Sequence, residues 1–162
     1  MLATMSFGYG LNVTALQLAR AYAVIGSGGL KKPVSFVKLA GAPPGEQVLS
    51  EELSQQLCAM LAQVVESGSG RLAKVPGYSI GGKTGTTRKL SSGRYTTQYM
   101  ALFAGLAPIK QPRFAIVAVV DEPQGVYYGA KVAAPLFAEV AKAALRLFNV
   151  PPDDVVVKQG IR

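Results

Sequence analysis

Histidine is absent from the sequence, and its absence excludes whole classes of chemistry. Among the 162 residues there is also no tryptophan and only one cysteine, Cys58. Without histidine, neither a Ser-His-Asp or Cys-His nucleophile pair nor a histidine-containing metal site can form. A single cysteine also excludes an intramolecular disulfide and a Cys-x-x-Cys zinc site. Any catalysis must therefore use other side chains, and Cys58 itself is expected to be a small packed thiol.

Acidic residues and long apolar runs are also scarce. Lys and Arg number 17 against 9 Asp and Glu, so the formal net charge is +8. The basic residues are scattered from Arg20 to Arg162, which favours a solvated surface, although a basic binding module without catalysis stays open as an alternative. The longest apolar run, residues 114–120, is far shorter than the ~18 residues of a membrane span. We therefore expect the chain as given to be soluble.

Local patterns predict three helices. Thr14-Ala-Leu-Gln17 is a capping box at the start of a helix that ends near Ile25. Ser50 suits the N-cap of a second helix, and residues 134–148 form a long apolar helix with a proline in its first turn. Six apolar residues of the second helix recur at helical spacing and predict one buried stripe: Leu53, Leu57, Met60, Leu61, Val64 and Val65.

Strands are predicted at residues 79–84, 99–107 and 114–120, with a further short extended piece at 34–39. A polar link, residues 88–97, joins the first two long strands, and a short proline-bounded link, residues 108–112, joins the last two. Consecutive strands with short links favour antiparallel pairing. The expected fold class is therefore α+β, with a three-stranded antiparallel sheet packed by helices.

The glycine-rich segment from Gly77 to Thr84 admits two interpretations. Its letters fit the P-loop pattern GxxxxGK[ST], in which backbone amides bind phosphate. A P-loop needs a buried strand before it and a helix after it, whereas Pro76 precedes this segment and Gly85-Thr86-Thr87 follows it. Read one residue later, Lys83-Thr84-Gly85-Thr86 is the K-T-G element of active-site serine penicillin-binding proteins and β-lactamases. The second interpretation is favoured, and nucleotide binding stays open as the alternative.

Six further segments support the K-T-G interpretation: Ala3-Thr-Met-Ser-Phe-Gly-Tyr-Gly10, Val75-Pro-Gly-Tyr78, Gly105-Leu-Ala-Pro108, Gln111-Pro-Arg-Phe-Ala115, Tyr127-Tyr-Gly129 and Ala134-Pro-Leu-Phe137. With them, the chain resembles the division-specific subgroup of class B penicillin-binding transpeptidases over nearly its whole length. The resemblance implies a penicillin-binding transpeptidase fold, which is like that of the serine β-lactamases. Residues 1–150 would form the C-terminal portion of the transpeptidase domain, and residues 151–162 a tail.

The resemblance implies a septal peptidoglycan D,D-transpeptidase from a Gram-negative bacterium. In that family, a serine attacks the D-Ala-D-Ala end of a stem peptide, and a neighbouring stem's amine resolves the acyl-enzyme as a cross-link. β-Lactams would bind at the same site, and no cofactor or metal is implied. The whole protein would be anchored in the inner membrane with this domain in the periplasm, beside divisome membrane proteins and without nucleic acid. A carboxypeptidase or β-lactamase relative with the same K-T-G element stays open.

The resemblance also assigns roles to four residues. Lys83 would point into the catalytic centre, and Gly85 would let the strand approach the serine-bearing helix. Thr84 and Thr86 would bind the substrate's terminal carboxylate, and the Thr86 amide would help to form the oxyanion hole. Arg88, Lys89 and Arg94 are expected in a solvated loop, Tyr127 and Tyr128 in packing, and Asp121 with Glu122 in a turn at a strand end.

Two catalytic elements of the family have no convincing match in this chain. The S-x-N pattern does not occur, and the S-x-x-K pattern occurs only at Ser35, three residues before Lys38. Ser35 lies in the strand-like piece, whereas the family's nucleophile begins a buried helix. We therefore expect the chain by itself to be inactive, and its exposed apolar surface to favour self-association or strand exchange.

Overall fold

Three helices and five strands make up the chain in a computed structural model, which describes residues 10–91 and 93–154. The helices are α1 (Ala15–Gly26), α2 (Glu51–Glu66) and α3 (Gly129–Leu147), and a 3-10 turn spans Arg71–Ala73. The strands are β1 (Leu30–Lys31), β2 (Glu46–Gln47), β3 (Gly81–Ser91), β4 (Arg94–Ala107) and β5 (Phe114–Asp121).

The three long strands form one antiparallel sheet in chain order, β3-β4-β5. The predicted α+β class and the antiparallel pairing are therefore confirmed. The two-residue strands β1 and β2 pair separately with each other and were not predicted. A short connection, residues 108–113, joins β4 to β5, and its brevity keeps these two strands adjacent.

Side-chain caps start the first two helices where the sequence predicts them. The Thr14 hydroxyl accepts a hydrogen bond from the Gln17 amide at 3.2 Å, and Gln17 Oε1 accepts one from the Thr14 amide at 2.8 Å. The Ser50 hydroxyl accepts a hydrogen bond from the Leu53 amide at 3.1 Å. These bonds satisfy amides that the first turn of a helix leaves without partners.

Helices cover both faces of the sheet. On one face, the Phe137 ring of α3 lies 4.7 Å from the Phe103 ring of β4. On the other face, a Cβ atom at Gly26 of α1 would lie 2.9 Å from the side chain of Leu106. The helix α1 therefore approaches β4 closely at Gly26, which has no side chain. Residues 103 and 106 point to opposite faces because side chains alternate along a strand. The sheet is thus the middle of three layers.

The core lies mainly between the sheet and α3. The largest apolar side chains that are buried almost completely come from helices, from strands and from the residue just before β3: Phe103, Phe137, Ile80, Leu106, Leu145 and Val65. Burying such side chains supplies the main driving force for folding, at roughly 1.5–3 kcal/mol each.

The predicted buried stripe of α2 is confirmed only in part. Val65 is buried and Leu57, Leu61 and Val64 are partly buried, whereas Leu53 and Met60 are 41% and 61% exposed. The helix backbone approaches β3 closely, because a Cβ at Gly81 would lie 3.2 Å from the Ala62 amide nitrogen. Close packing against the strand favours small side chains there, so the two most exposed apolar side chains point elsewhere.

Three other predicted segments also differ from the structure. Residues 88–97 are not a loop, because β3 and β4 continue through them and pair as far as Ser91 and Arg94. Residues 34–39 contain no strand. The helix predicted at 134–148 begins five residues earlier, so Pro135 lies inside α3 rather than in its first turn. No helix in the described ranges has the length and apolar character that crossing a membrane requires.

Candidate functional site

The Lys83-Thr84-Gly85-Thr86 run lies entirely on β3, as the K-T-G interpretation predicts. These residues pair with Ala104, Phe103, Leu102 and Ala101 of β4, respectively. Alternation places Lys83 and Gly85 on the sheet face of Leu102, and Thr84 and Thr86 on the face of Phe103, which α3 covers. In the described part of the chain, β3 pairs only with β4. The outer edge of the strand is therefore open to another extended segment along the whole run.

Lys83 is exposed, and its ammonium group folds back over this open edge. Its Nζ donates to the Thr84 carbonyl oxygen at 3.0 Å and to Thr84 Oγ1 at 3.3 Å. The ion pairs among the described residues do not include Lys83. The positive charge is thus held beside the strand by neutral oxygens and stays available to an anionic group.

The hydroxyl of Thr84 has a partner that the sequence did not indicate. Its Oγ1 lies 3.2 Å from Oγ of Ser69, in the turn between α2 and the 3-10 turn. Either hydroxyl can donate in this pair. Ser69 lies in a short Gly-Ser-Gly stretch, which is typical of a flexible turn. Its position beside the K-T-G-T run is therefore set by the tertiary fold and has no signal in the sequence.

The hydroxyl of Thr86 lies at the N-terminus of α3. Its Oγ1 accepts a hydrogen bond from the Gly129 amide at 3.0 Å, and Tyr128, the N-cap residue, makes no side-chain cap. Thr86 therefore satisfies an amide at the helix start from another element of the fold. The positive end of the α3 dipole consequently faces the K-T-G-T run, which favours a negative charge nearby.

Glycines allow α3 to approach this strand closely. A Cβ at Gly129 would lie 2.3 Å from the Gly85 carbonyl oxygen and 2.6 Å from that of Leu102. A Cβ at Gly85 would lie 2.9 Å from the Leu102 side chain. The sequence flagged Gly85 but not Gly129. The predicted approach of a serine-bearing helix to Gly85 stays a prediction.

Three tyrosines cluster beside the far half of β3. The rings of Tyr99 and Tyr127 are 3.9 Å apart and nearly parallel, and Tyr128 lies 4.6 Å from Tyr127. The Arg88 Nε donates to the Tyr99 hydroxyl at 3.0 Å. The hydrogen bond with Tyr128, followed by electrostatic interaction with Tyr128 and Tyr99, raises the pKa of Tyr127 to about 12. Tyr127 packs as expected, but Tyr128 is 56% exposed.

Lys89 is paired, which corrects its expected place in a solvated loop. Its Nζ lies 2.7 Å from Glu122 Oε1 and 3.0 Å from Asp121 Oδ1. The hydrogen bonds with Glu122 and then Asp121 raise the pKa of Lys89. Arg88 and Arg94 also belong to strands rather than to a loop. Because two carboxylates neutralise Lys89, it contributes little to any field that attracts anions.

The P-loop alternative fails on geometry. β3 begins at Gly81 and continues through Thr84 to Ser91, so no helix starts where a bound phosphate would need one. Within residues 10–91 and 93–154, no cluster of acidic residues and cysteine is suited to a metal ion.

The remaining candidates lie away from this site. Ser35 is in an exposed loop, where its hydroxyl donates to the Val37 carbonyl at 2.7 Å, and no helix carries it. Cys58 is half-buried on α2 with its Sγ 4.0 Å from the Ile25 carbonyl, and burial raises the pKa of the thiol. A raised pKa disfavours the reactive thiolate. Of the segment that resembles the family at residues 3–10, only Gly10 lies within the described residues.

The comparison with known families decides which family the chain belongs to. The model of the penicillin-binding protein transpeptidase domain matches residues 2–142. The chain belongs to this family.

Individual relatives agree with the assignment. The chain is 47% identical to the peptidoglycan D,D-transpeptidase FtsI of Escherichia coli K12, over 98% of the chain and 29% of that protein. It is 41% identical to the probable peptidoglycan D,D-transpeptidase PenA of Neisseria meningitidis serogroup A, over 99% of the chain and 28% of that protein. The chain thus spans less than a third of the length of these relatives.

A solved structure supports the fold in the same way. The transpeptidase domain of Burkholderia pseudomallei penicillin-binding protein 3, in its apo form, superposes with a TM-score of 0.87 at 41% identity. The match covers 94% of this chain and 48% of that one. The predicted penicillin-binding transpeptidase fold is therefore confirmed.

Proposed function

We propose that this chain provides the substrate-binding strand of a serine-type peptidoglycan D,D-transpeptidase, with the nucleophile supplied by the rest of a longer protein. The observation that carries the proposal is the K-T-G-T run on an open strand edge beside the N-terminus of α3. The 47% identity with FtsI of Escherichia coli supports it. The substrate would be the D-Ala-D-Ala end of a peptidoglycan stem peptide, and β-lactams would acylate the same site.

The open edge of β3 explains how an extended stem peptide is bound. A peptide can add to a free strand edge through main-chain hydrogen bonds. Its terminal carboxylate would accept hydrogen bonds from the hydroxyls of Thr84 and Thr86. Lys83 and the positive end of α3 both favour the negative charge of this carboxylate.

The same strand would stabilise the transition state. Attack by the serine places a negative charge on the scissile carbonyl oxygen, and the Thr86 backbone amide would donate to this oxygen. Loss of one such donor typically costs about 3 kcal/mol of transition-state stabilisation. Lys83 would supply positive potential and hydrogen bonds within the catalytic centre.

The cellular setting is part of the proposal. As a division-specific transpeptidase, the whole protein would be anchored in the inner membrane, would present this domain to the periplasm and would contact membrane proteins of the divisome. The alternative of a basic binding module makes a different prediction. Such a module would bind DNA, and its affinity would fall steeply with added salt.

Acylation by a fluorescent penicillin tests the proposal. In the natural protein that contains this chain, we expect covalent labelling, and we expect Lys83→Ala to reduce its rate at least ~100-fold because charge stabilisation in the site is lost. Lys142→Ala, at an exposed position on α3, is the matched control and should label like the wild type. A wild-type protein that stays unlabelled, or a Lys83→Ala variant that labels normally, would contradict the proposal.

Labelling of the isolated chain by the same fluorescent penicillin is a second test. The chain lacks a serine-bearing helix of the required kind within residues 10–91 and 93–154, so we expect no labelling of the isolated 17.0 kDa chain. A labelled band at this mass after denaturing electrophoresis would show that the nucleophile lies within the chain.

A further inference from the structure

A short segment after α3 binds to the residues just before β3. The Ser79 amide donates to Asp153 Oδ1 at 2.7 Å, and the Ser79 hydroxyl donates to Asp153 Oδ2. The amides of Asp153 and Asp154 both donate to the Gly77 carbonyl oxygen at 3.1 Å. Residues 153 and 154 thus form a clasp on residues 77–79, four residues before Lys83.

Neighbouring side chains reinforce this clasp. The Tyr78 hydroxyl donates to the Val150 carbonyl at 2.7 Å. Lys110 Nζ donates to the Asp153 carbonyl at 3.0 Å, and the Ile109 amide donates to the Ser79 carbonyl at 2.8 Å. Ser79 is only 7% exposed, and both of its donors and its carbonyl have partners. Hydrogen bonds to a charged group at a buried site are among the stronger ones in proteins.

The chain between the clasp and Lys83 is short. It consists of Ile80, Gly81 and Gly82, and consecutive glycines have more backbone freedom than any other residues. Ile80 is 2% exposed, and α2 packs closely against Gly81. The outer edge of β3 has no strand partner in the described ranges. The position at which the strand begins is therefore set by its pairing with β4, by this packing and by the contacts of Ser79.

We propose that Asp153 is a positioning residue for the K-T-G-T run. By holding Ser79, it fixes where β3 begins and so sets the positions of Lys83, Thr84 and the Thr86 amide relative to a bound substrate. Asp153 itself touches no substrate and acts through Ser79. The inference rests on the proposed transpeptidase function and assigns a role to the first residues of the predicted tail.

The test compares two neighbouring carboxylates in the natural protein that contains this chain. Asp153→Asn keeps the size of the side chain but cannot accept both hydrogen bonds from Ser79. Asp154→Asn makes the same change of charge one residue later, where the carboxylate pairs with Lys110 Nζ at 3.7 Å and, among the described residues, is not bonded to Ser79. Acylation by a fluorescent penicillin gives both the maximal rate and the half-saturating concentration, and hydrogen exchange reports on the amides of residues 81–86.

We expect Asp153→Asn to lower the maximal acylation rate about 10-fold, less than the ~100-fold that a 1 Å misplacement can cost. Exchange of the β3 amides should become faster in the same variant. Asp154→Asn should change neither quantity. Ser79→Ala removes only one hydroxyl, so it should lower the rate several-fold by itself and add little to Asp153→Asn, because both changes break the same contact.

Equal acylation rates in the wild type, Asp153→Asn and Ser79→Ala would overturn this inference alone. If Asp153→Asn does not fold, Ser79→Ala decides, and an unchanged maximal rate in that variant would overturn the inference. A wild-type protein that is not labelled at all would instead overturn the proposed function, and the positioning role with it.

Discussion

The Thr86 hydroxyl can both accept and donate hydrogen bonds, and the described fold uses it as an acceptor. Its Oγ1 accepts a hydrogen bond from the Gly129 amide at 3.0 Å. The hydroxyl proton remains available because accepting a bond leaves the donor free. The bond to Gly129 also orients this donor. A residue that supports α3 can therefore also bind a carboxylate, and neither role excludes the other.

Cys58 gives a pH-dependent prediction at the same scale. Burial raises the pKa of its thiol in the folded chain, so less thiolate is present than in the unfolded chain at the same pH. We expect iodoacetamide to alkylate native Cys58 more slowly than the same residue in guanidinium, with the rate rising at higher pH. Any stabilisation from the neutral thiol is present below the unfolded pKa and is lost as the pH rises through the folded value.

The unfolded chain is an internal control for this prediction, since Cys58 is the single cysteine. Equal rates in both states across pH 7–10 would contradict a raised pKa.

Residue-level prediction succeeded where the motif itself carried the information. Lys83, Thr84, Gly85 and Thr86 lie together on a strand, as their order predicts. Ser69 and Gly129 were missed, since each acts through an approach between segments that are distant in sequence. A single glycine or serine in a turn gives no local signal of such an approach.

At the site, the N-terminus of α3 lies in close contact with β3. The backbone carbonyls of Gly85 and Leu102 leave no room for a Cβ atom at Gly129. Because backbone cannot move aside as a flexible side chain can, the two elements must separate if a side chain is added. This contact places the positive end of the helix against the substrate-binding strand.

We therefore expect Gly129→Ala to destabilise the chain by about 1–3 kcal/mol, the usual cost of overpacking. Elsewhere in a helix the same change would stabilise by about 1 kcal/mol. Urea denaturation measures the difference. Gly41→Ala, where no atom lies within 4 Å of the added Cβ, is the control and should change the free energy of unfolding by less than ~0.5 kcal/mol. A Gly129→Ala variant as stable as the wild type would contradict this contact.

At the element scale, helix starts were easier to predict than packing faces. The caps at Thr14 and Ser50 are local hydrogen-bonding patterns and were confirmed. The stripe on α2 was confirmed only in part, because periodicity shows where apolar residues lie on a helix but not which side packs against the sheet. The β3–β4 hairpin was predicted too short, because its polar, exposed residues lack the alternation that marks a half-buried strand.

The whole molecule leaves much apolar surface exposed. Met60, Phe36 and Val37 are 61%, 88% and 72% exposed. Their exposure fits a chain that covers 48% of a solved transpeptidase domain of the same fold. The predicted self-association of the isolated chain follows from this surface and stays a prediction. The central claim of the proposed function is that β3 binds the terminal carboxylate of the substrate through the hydroxyls of Thr84 and Thr86.

A crystal structure of the natural protein acylated by a penicillin tests that claim most directly. The account predicts that the carboxylate of the bound penicillin lies about 3 Å from both Thr84 Oγ1 and Thr86 Oγ1, within hydrogen-bonding distance. It also predicts that the acyl carbonyl oxygen accepts a hydrogen bond from the Thr86 amide. A carboxylate bound to other residues, more than about 4 Å from both threonine hydroxyls, would contradict the account.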